Sequence, residues 1–310
     1  VKRLLAIALV VLLALLVVPM LLALPGDRDQ RHLERVRLED TRYEEVSFRN
    51  EAHGLQLAGM LFVPEGAGPF PAAVIVHGSG TSRRDNGWYL TLAKYLQDHG
   101  VAVLLPDKRG SEQSEGDWRT ASFRDLATDT LAAIDYLERQ QEIAFSGIGV
   151  IGLSQGGHIA PVVASLTNRI SFLVNIVGGA LPMHEQLVYE EQHNLEQMGM
   201  LPGFSKLFAH VGAWSLIRFR QKAFWDAVGN FDPVPYWRDI EVPALVLYGE
   251  DDTNVPSQRS ARALRTLGNP HIRVRIYGGS GHALESPEGA GDSILRPDAL
   301  EAIREFIEAA

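Results

Sequence analysis

No cysteine occurs among the 310 residues. That excludes a disulfide framework, a thiol nucleophile and a cysteine-ligated metal. It leaves the compartment open, because a chain of this length buries a core without covalent staples. An excess of basic residues is also lacking, the formal net charge being −9 at pH 7. A nucleic-acid partner is therefore not expected, since neutralising phosphates takes a clustered basic surface. The histidines are scattered without the spacing of a ligand set, so neither a metal nor another cofactor is expected. What remains is ordinary globular composition, 46% hydrophobic and 22% charged, with no visible repeat.

Long apolar runs are absent except at the start. Lys2 and Arg3 precede an uncharged stretch, residues 4–24, of Leu, Val, Ala and Ile. It is long enough to cross a bilayer as a helix and has no polar face to suit a core helix. The exit, Leu21-Leu22-Ala23-Leu24-Pro25-Gly26, offers no small-x-small cleavage site. Residues 1–25 are thus expected to be a retained membrane anchor in preference to a cleaved signal segment. Lys2 and Arg3 would keep the N-terminus in the cytoplasm and the remainder outside it, periplasmic or extracellular, or secreted if the segment is cleaved. Residues 26–44 mix both charge signs densely and read as a solvated linker.

Residues 45–310 read as one α/β domain. Two alternating segments, Glu45 to Arg49 and Leu55 to Val63, predict an antiparallel hairpin at a sheet edge. Short apolar runs follow at Ala72–Val76, Val101–Leu105, Ile148–Leu153, Phe172–Val177, Ala244–Tyr248 and Ile272–Tyr277, most of them separated by helical patterns. That alternation means right-handed βαβ units and a mostly parallel sheet covered by helices on both faces. Between about 181 and 238 the alternation stops. The segment is helical in pattern and rich in Met, Phe and Trp, and it predicts a helical cap inserted over the site, its large side chains divided between cap core and pocket lining.

Ligands of such sheets sit beyond the carboxyl ends of the strands. There the sequence places Gly152-Leu153-Ser154-Gln155-Gly156, between the Ile148–Leu153 strand and a helical pattern. Strand, sharp turn and helix are the context in which Gly-x-Ser-x-Gly presents a nucleophilic serine. A serine hydroxyl needs a neutral imidazole as base and an acid to orient that imidazole. Both lie downstream in order. Glu250-Asp251-Asp252 follows one strand, and Gly281-His282 follows the next. An oxyanion hole needs two backbone N–H donors. Gln155, directly after the serine, supplies one. The glycine-rich loop His77-Gly78-Ser79-Gly80 supplies the other, assigned to Ser79 with Gly80 next. His77 is read as fixing that loop, His158 as packing beneath the serine turn, and Asp107 with Arg109 as a salt-bridged loop buttressing it.

His77-Gly78-Ser79-Gly80, Asp107-Lys108-Arg109-Gly110, Gly152 to Gly157, Gly249 to Pro256 and Gly281-His282 together resemble the α/β-hydrolase superfamily. Within it the chain is similar to single-domain serine esterases related to the dienelactone hydrolase and prolyl-oligopeptidase groups. The resemblance covers about 45–310 and implies a Ser-Asp-His triad. The family pattern Gly-x-x-Asp-x-x-Val-Pro falls on Gly249 to Pro256, which makes Asp252 the triad acid beside Ser154 and His282. The implied function is hydrolysis of carboxylic esters of small molecules through an acyl-enzyme, and the Met- and aromatic-rich cap segment suggests an apolar acyl or alkyl group. A peptidase, an aminoacyl amidase or an acyltransferase with the same triad, or a non-catalytic binding protein of this fold, are the rivals.

Overall fold

The structure is a computed structural model that describes residues 33–310 and, before them, Arg3, Ala6, Ile7, Val10 and Val11. Most of the expected anchor, and residues 26–32 of the expected linker, therefore lie outside the described residues. Among those described, no helix is long and apolar enough to cross a membrane.

In chain order the elements are β1 (Glu44–Asn50), β2 (Leu55–Phe62), β3 (Phe70–Val76), α1 (Gly87–Asp98), β4 (Ala102–Pro106), α2 (Phe123–Glu138), β5 (Phe145–Leu153), α3 (Gln155–Leu166) and β6 (Leu173–Ile176). Then come α4 (Met183–Gln197), α5 (Pro202–Ser215), a π-helical turn (Leu216–Arg220), α6 (Lys222–Val228), α7 (Val234–Arg238), β7 (Ala244–Gly249), α8 (Ser257–Thr266), β8 (Ile272–Tyr277) and α9 (Pro297–Glu308). The strands form one eight-stranded sheet, order β1-β2-β4-β3-β5-β6-β7-β8. The hairpin β1–β2 and the β2–β4 pair are antiparallel, and every pair from β4 to β8 is parallel. This is the α/β-hydrolase architecture that the motifs imply.

Alternation along the strands divides the core between two faces. In β3, Ala72, Val74 and Val76 join Ile134 of α2, Ile159 of α3 and Leu264 of α8 on one side. Ala73 and Ile75 join Leu90 of α1 and Ile303 of α9 on the other. Helix starts follow local chemistry. Asn86 caps α1 by accepting from the Trp88 N–H at 3.0 Å. Ser122 and Asp125 close a reciprocal capping box on α2.

Residues 33–43 differ from the solvated-linker expectation. The Val36 N–H donates to Thr91 Oγ1 at 3.2 Å, and Val36, Leu38 and Tyr43 pack against the α1–α9 side of the core. The charges between them face solvent while these apolar side chains cover the core on that side, so mean composition concealed a packed strap.

The turn after β5 depends on missing side chains. A Cβ on Gly156 would collide with the Val76 carbonyl, and one on Gly152 with the backbone of Gly156. Neighbouring backbone cannot yield cheaply. Gly156→Ala is expected to lower stability by more than about 3 kcal/mol in urea unfolding. Gly203→Ala, on the exposed first turn of α5 where nothing lies within 4 Å, is expected to raise it by about 0.5 kcal/mol. Equal effects at the two sites would refute this view of the turn.

Candidate active site

The parallel strands end on one edge of the sheet, and their carboxyl ends carry the predicted residues. Ser154 directly follows β5 with φ 53° and ψ −116°, a left-handed backbone that a non-glycine residue adopts only under constraint. The constraint is visible: its N–H donates to the Ile176 carbonyl at 2.8 Å, and its carbonyl accepts from the Gly157 N–H at 2.9 Å. The strain turns the hydroxyl away from the sheet and toward the loops after β7 and β8.

His282 Nε2 lies 2.9 Å from Ser154 Oγ. Its Nδ1 lies 2.9 Å from Asp252 Oδ2. A carboxylate only accepts, so the imidazole proton sits on Nδ1 and leaves Nε2 free to accept from the serine hydroxyl. Asp252 is buried, and its other oxygen accepts from the N–H groups of Asn254 at 2.8 Å and Val255 at 2.9 Å. Glu250 and Asp251 are exposed and turn away, so among the three consecutive acids only Asp252 meets the histidine. The His282 loop is held from two sides. Arg296 Nη1 donates to Ser280 Oγ at 2.9 Å, and Trp88 Nε1 donates to the Ala283 carbonyl at 2.9 Å.

Ser79 and Gln155 both line the cleft beside Ser154. The Gly78 N–H is occupied by Tyr89 Oη at 2.8 Å. The N–H groups of Ser79 and Gln155 have no hydrogen-bond acceptor among the described residues and remain available to an oxyanion. His77 Nε2 contacts the Pro106 carbonyl at 2.6 Å, tying the β3 loop to the end of β4. Burial lowers its pKa to about 4, so it is a neutral fixture of the loop.

The motif after β4 is salt-bridged, as expected, but to partners outside the loop. Asp107 and Arg109 do not pair with each other. Asp107 takes Arg84, with Nε at 2.9 Å and Nη2 at 2.8 Å, and Arg109 takes Asp129 at 2.6 and 2.8 Å. The residue between them reaches the serine turn. Lys108 Nζ donates to the Gly78 carbonyl at 2.8 Å and to Gln155 Oε1 at 2.6 Å, joining the two segments that carry the free N–H groups. Burial pulls its pKa down to about 7. Sequence reasoning missed this lysine. The available signal was three charged residues in a row at a strand end, one strand removed from the serine strand.

The cap lies between β6 and β7, as the helices α4 to α7. Tyr189 of α4 donates to the Asp252 carbonyl at 2.8 Å and so ties the cap to the acid loop. Beneath it is a cleft of about 820 Å³. Trp88, Trp118, Met183, Leu187, Leu216 and Phe224 give it apolar walls, and Glu190, Arg119 and Arg220 add charge. Burial raises the Glu190 carboxyl pKa, with His282 acting against that rise. Among the described residues, no group of three or more His, Asp or Glu side chains is arranged to hold a metal ion.

His158 sits under the turn, against Phe123 at 5.8 Å and Phe231 at 6.3 Å between ring centres. Burial lowers its pKa to about 4. An unfolded histidine titrates near 6.5, so between pH 6.5 and 4 the unfolded chain binds the extra proton and stability is lost as the pH falls. His158 and His77 each contribute a loss of roughly 3 kcal/mol over that window. His158→Met is expected to flatten the pH dependence of the urea midpoint between pH 6.5 and 4.5 relative to the parent chain. Parallel curves for the two proteins would contradict the assignment.

The family model described as BAAT / acyl-CoA thioester hydrolase C terminal matches residues 131–288, half of the chain. The chain belongs to this family. The match runs from α2 through the serine turn and cap to the His282 loop, and so contains all three residues brought together here. A second model, X-Pro dipeptidyl-peptidase (S15 family), matches residues 53–203. Esterase EstD of Thermotoga maritima is 24% identical over 248 residues, 75% of this chain and 59% of that protein. The peroxisomal succinyl-coenzyme A thioesterase of Mus musculus is 27% identical over 248 residues, 73% of this chain and 52% of that one. The chain spans about half the length of these curated relatives. The solved structure of the Pyrococcus furiosus esterase PF2001 superposes with a TM-score of 0.63 at 19% identity, covering 88% of this chain and 92% of that chain. At that identity it shows the fold, an α/β hydrolase.

Proposed function

We propose that the chain is a serine hydrolase of carboxylic esters. The observation that carries this is the pair of 2.9 Å contacts that link Ser154 Oγ through His282 to Asp252, at the wall of a cleft. His282 Nε2 takes the hydroxyl proton as Ser154 Oγ attacks the ester carbonyl. The carbonyl oxygen becomes an oxyanion held by the Ser79 and Gln155 N–H groups. The intermediate collapses, the protonated His282 gives its proton to the departing alkoxide, and an acyl-enzyme remains. Water then attacks with His282 again as base, and the acid leaves. Lys108 fixes both donor segments, so the hole is set before substrate arrives. The apolar walls suit an apolar acyl or alkyl group.

Thioesters call for the same steps, and the BAAT family together with the thioesterase relative supports testing them. A panel of p-nitrophenyl esters of increasing acyl length, an acyl thioester and aminoacyl p-nitroanilides separates the readings. Release of free acid from the esters, with little turnover of the anilides, is expected. Preferential cleavage of the anilides would favour the peptidase reading. Transfer of the acyl group to an added alcohol or amine in place of hydrolysis would favour an acyltransferase.

The anchor is likewise a proposal. Residues 4–24, with Lys2 and Arg3 before them, would hold the hydrolase domain at a membrane on its non-cytoplasmic side.

A further inference from the structure

The cap's large apolar residues fall into three groups, of which the sequence suggested only two. Some line the cleft, such as Leu216 and Phe224, and some are buried in the core, such as Trp237. A third group faces solvent. Leu207, Val211, Trp214 and Phe219 are 66%, 56%, 57% and 66% exposed. The first three recur at the spacing of one face of α5. The cause is on the opposite face, where Ser205, Ala209 and Ala213 are buried against the neighbouring cap helix. Small residues permit close helix packing, and the bulky ones are left outside. Trp214 and Phe219 meet edge to face at 5.2 Å, so the outward cluster continues into the π-helical turn.

Charge around this cluster is one-sided. From Gln197 to Trp225 no Asp or Glu occurs, while Lys206, Arg218, Arg220 and Lys222 do, in a chain whose net charge is −9. Lys206, Arg218 and Arg220 make no ion pair among the described residues, and the Arg218 guanidinium lies 5.9 Å from the Phe219 ring centre. A helix with Leu, Val and Trp on one face and unpaired cations beside them has the character of an interfacial segment. Protein partners also use apolar patches, but the ring of free cations and the bilayer-length apolar run at residues 4–24 both favour lipid.

We propose that the outward face of α5, with Phe219, docks on an anionic lipid bilayer. Leu207, Val211 and Trp214 enter the headgroup–acyl boundary, and Lys206 and Arg218 meet lipid phosphates. The same π-helical turn carries Phe219 outward and Leu216 and Arg220 into the cleft wall, so docking sets the cleft beside the lipid phase. This goes beyond the hydrolase reading and needs no catalysis. It is compatible with the anchor but distinct from it, since an anchored chain can hold its cap in water.

The absence of cysteine makes the test clean. The full chain carrying Val211→Cys, labelled with an environment-sensitive nitrobenzoxadiazole, is reconstituted with vesicles of phosphatidylcholine containing phosphatidylglycerol and a doxyl-labelled lipid. A Glu65→Cys label on the far side of the domain is the control. The expected result is a blue shift and strong doxyl quenching at 211 and neither at 65. Quenching at 211 should weaken in pure phosphatidylcholine. Adding Leu207→Asp should abolish it without changing the melting temperature or the hydrolysis of soluble p-nitrophenyl acetate. A chain that floats with the vesicles while the 211 label stays unquenched overturns the docking and leaves the anchor standing. A blue shift without quenching that grows with protein concentration assigns the face to a second copy and overturns it too.

Discussion

Ser154→Ala is expected to lower kcat/KM for p-nitrophenyl butyrate by at least about 10⁴-fold while leaving the fold intact. The alanine keeps the Cβ and the same turn, and the hydrogen bonds that hold the turn come from backbone atoms of Ser154, Ile176 and Gly157. Only the attacking oxygen is lost. No second hydroxyl sits on His282 Nε2 among the described residues. The expected circular dichroism and melting curve are those of the parent. More than a few per cent of residual activity, once contaminating esterase is excluded, would remove Ser154 from the role of nucleophile. Ser154→Gly serves as a further check on the turn. Glycine adopts φ 53° without penalty, so stability should rise by about 1 kcal/mol as activity disappears.

Asp252→Asn should cost nearly as much through a different route, about 10³- to 10⁴-fold in kcat. The side-chain oxygen of asparagine can still accept from the N–H groups of Asn254 and Val255, so the loop keeps its shape. The amide nitrogen then faces His282 Nδ1 and donates to it. That forces the imidazole proton onto Nε2, where it points at Ser154 Oγ and prevents the ring from acting as base. The parent is distinguished by its buried carboxylate, which demands a proton on Nδ1. Asp251→Asn and Glu250→Gln, on exposed neighbours, are expected to stay within about twofold of the parent, as surface substitutions do. A loss at Asp251 equal to that at Asp252 would show that the acid had been misassigned.

These expectations are mostly legible in the sequence. The strands that matter are short apolar runs, and each functional loop follows its strand directly. Ser154, Asp252 and His282 could therefore be placed on one sheet edge by counting strands. The choice of Asp252 over its two acidic neighbours came from the motif resemblance, and the geometry accounts for it. Backbone N–H groups two and three residues downstream hold the third acid inward.

Other parts depended on contacts between distant residues and left little trace. Lys108 joins Gly78 and Gln155 across separations of 30 and 47 residues. Tyr189 meets the Asp252 carbonyl across 63 residues. Asp107 is paired with Arg84 and not with Arg109, because β4 ends beside the loop after β3. Local pattern carries no information about such partners. The division of the cap's large side chains into core and pocket lining was incomplete for a related reason. Hydrophobicity says that Trp214 and Leu207 avoid water in general, but not which neighbour covers them. The small residues at 205, 209 and 213 were the legible sign that the opposite face of α5 makes the helix contact.

The central claim is that Ser154 forms a covalent acyl intermediate, and trapping that bond tests it most directly. Incubation of the full chain with a fluorophosphonate, followed by intact and peptide mass spectrometry, should show one adduct per chain. That adduct should map to the peptide containing Ser154 and be absent from Ser154→Ala. It should form far more slowly in Asp252→Asn. An unlabelled parent chain, or an adduct on another residue that persists in Ser154→Ala, would contradict the account.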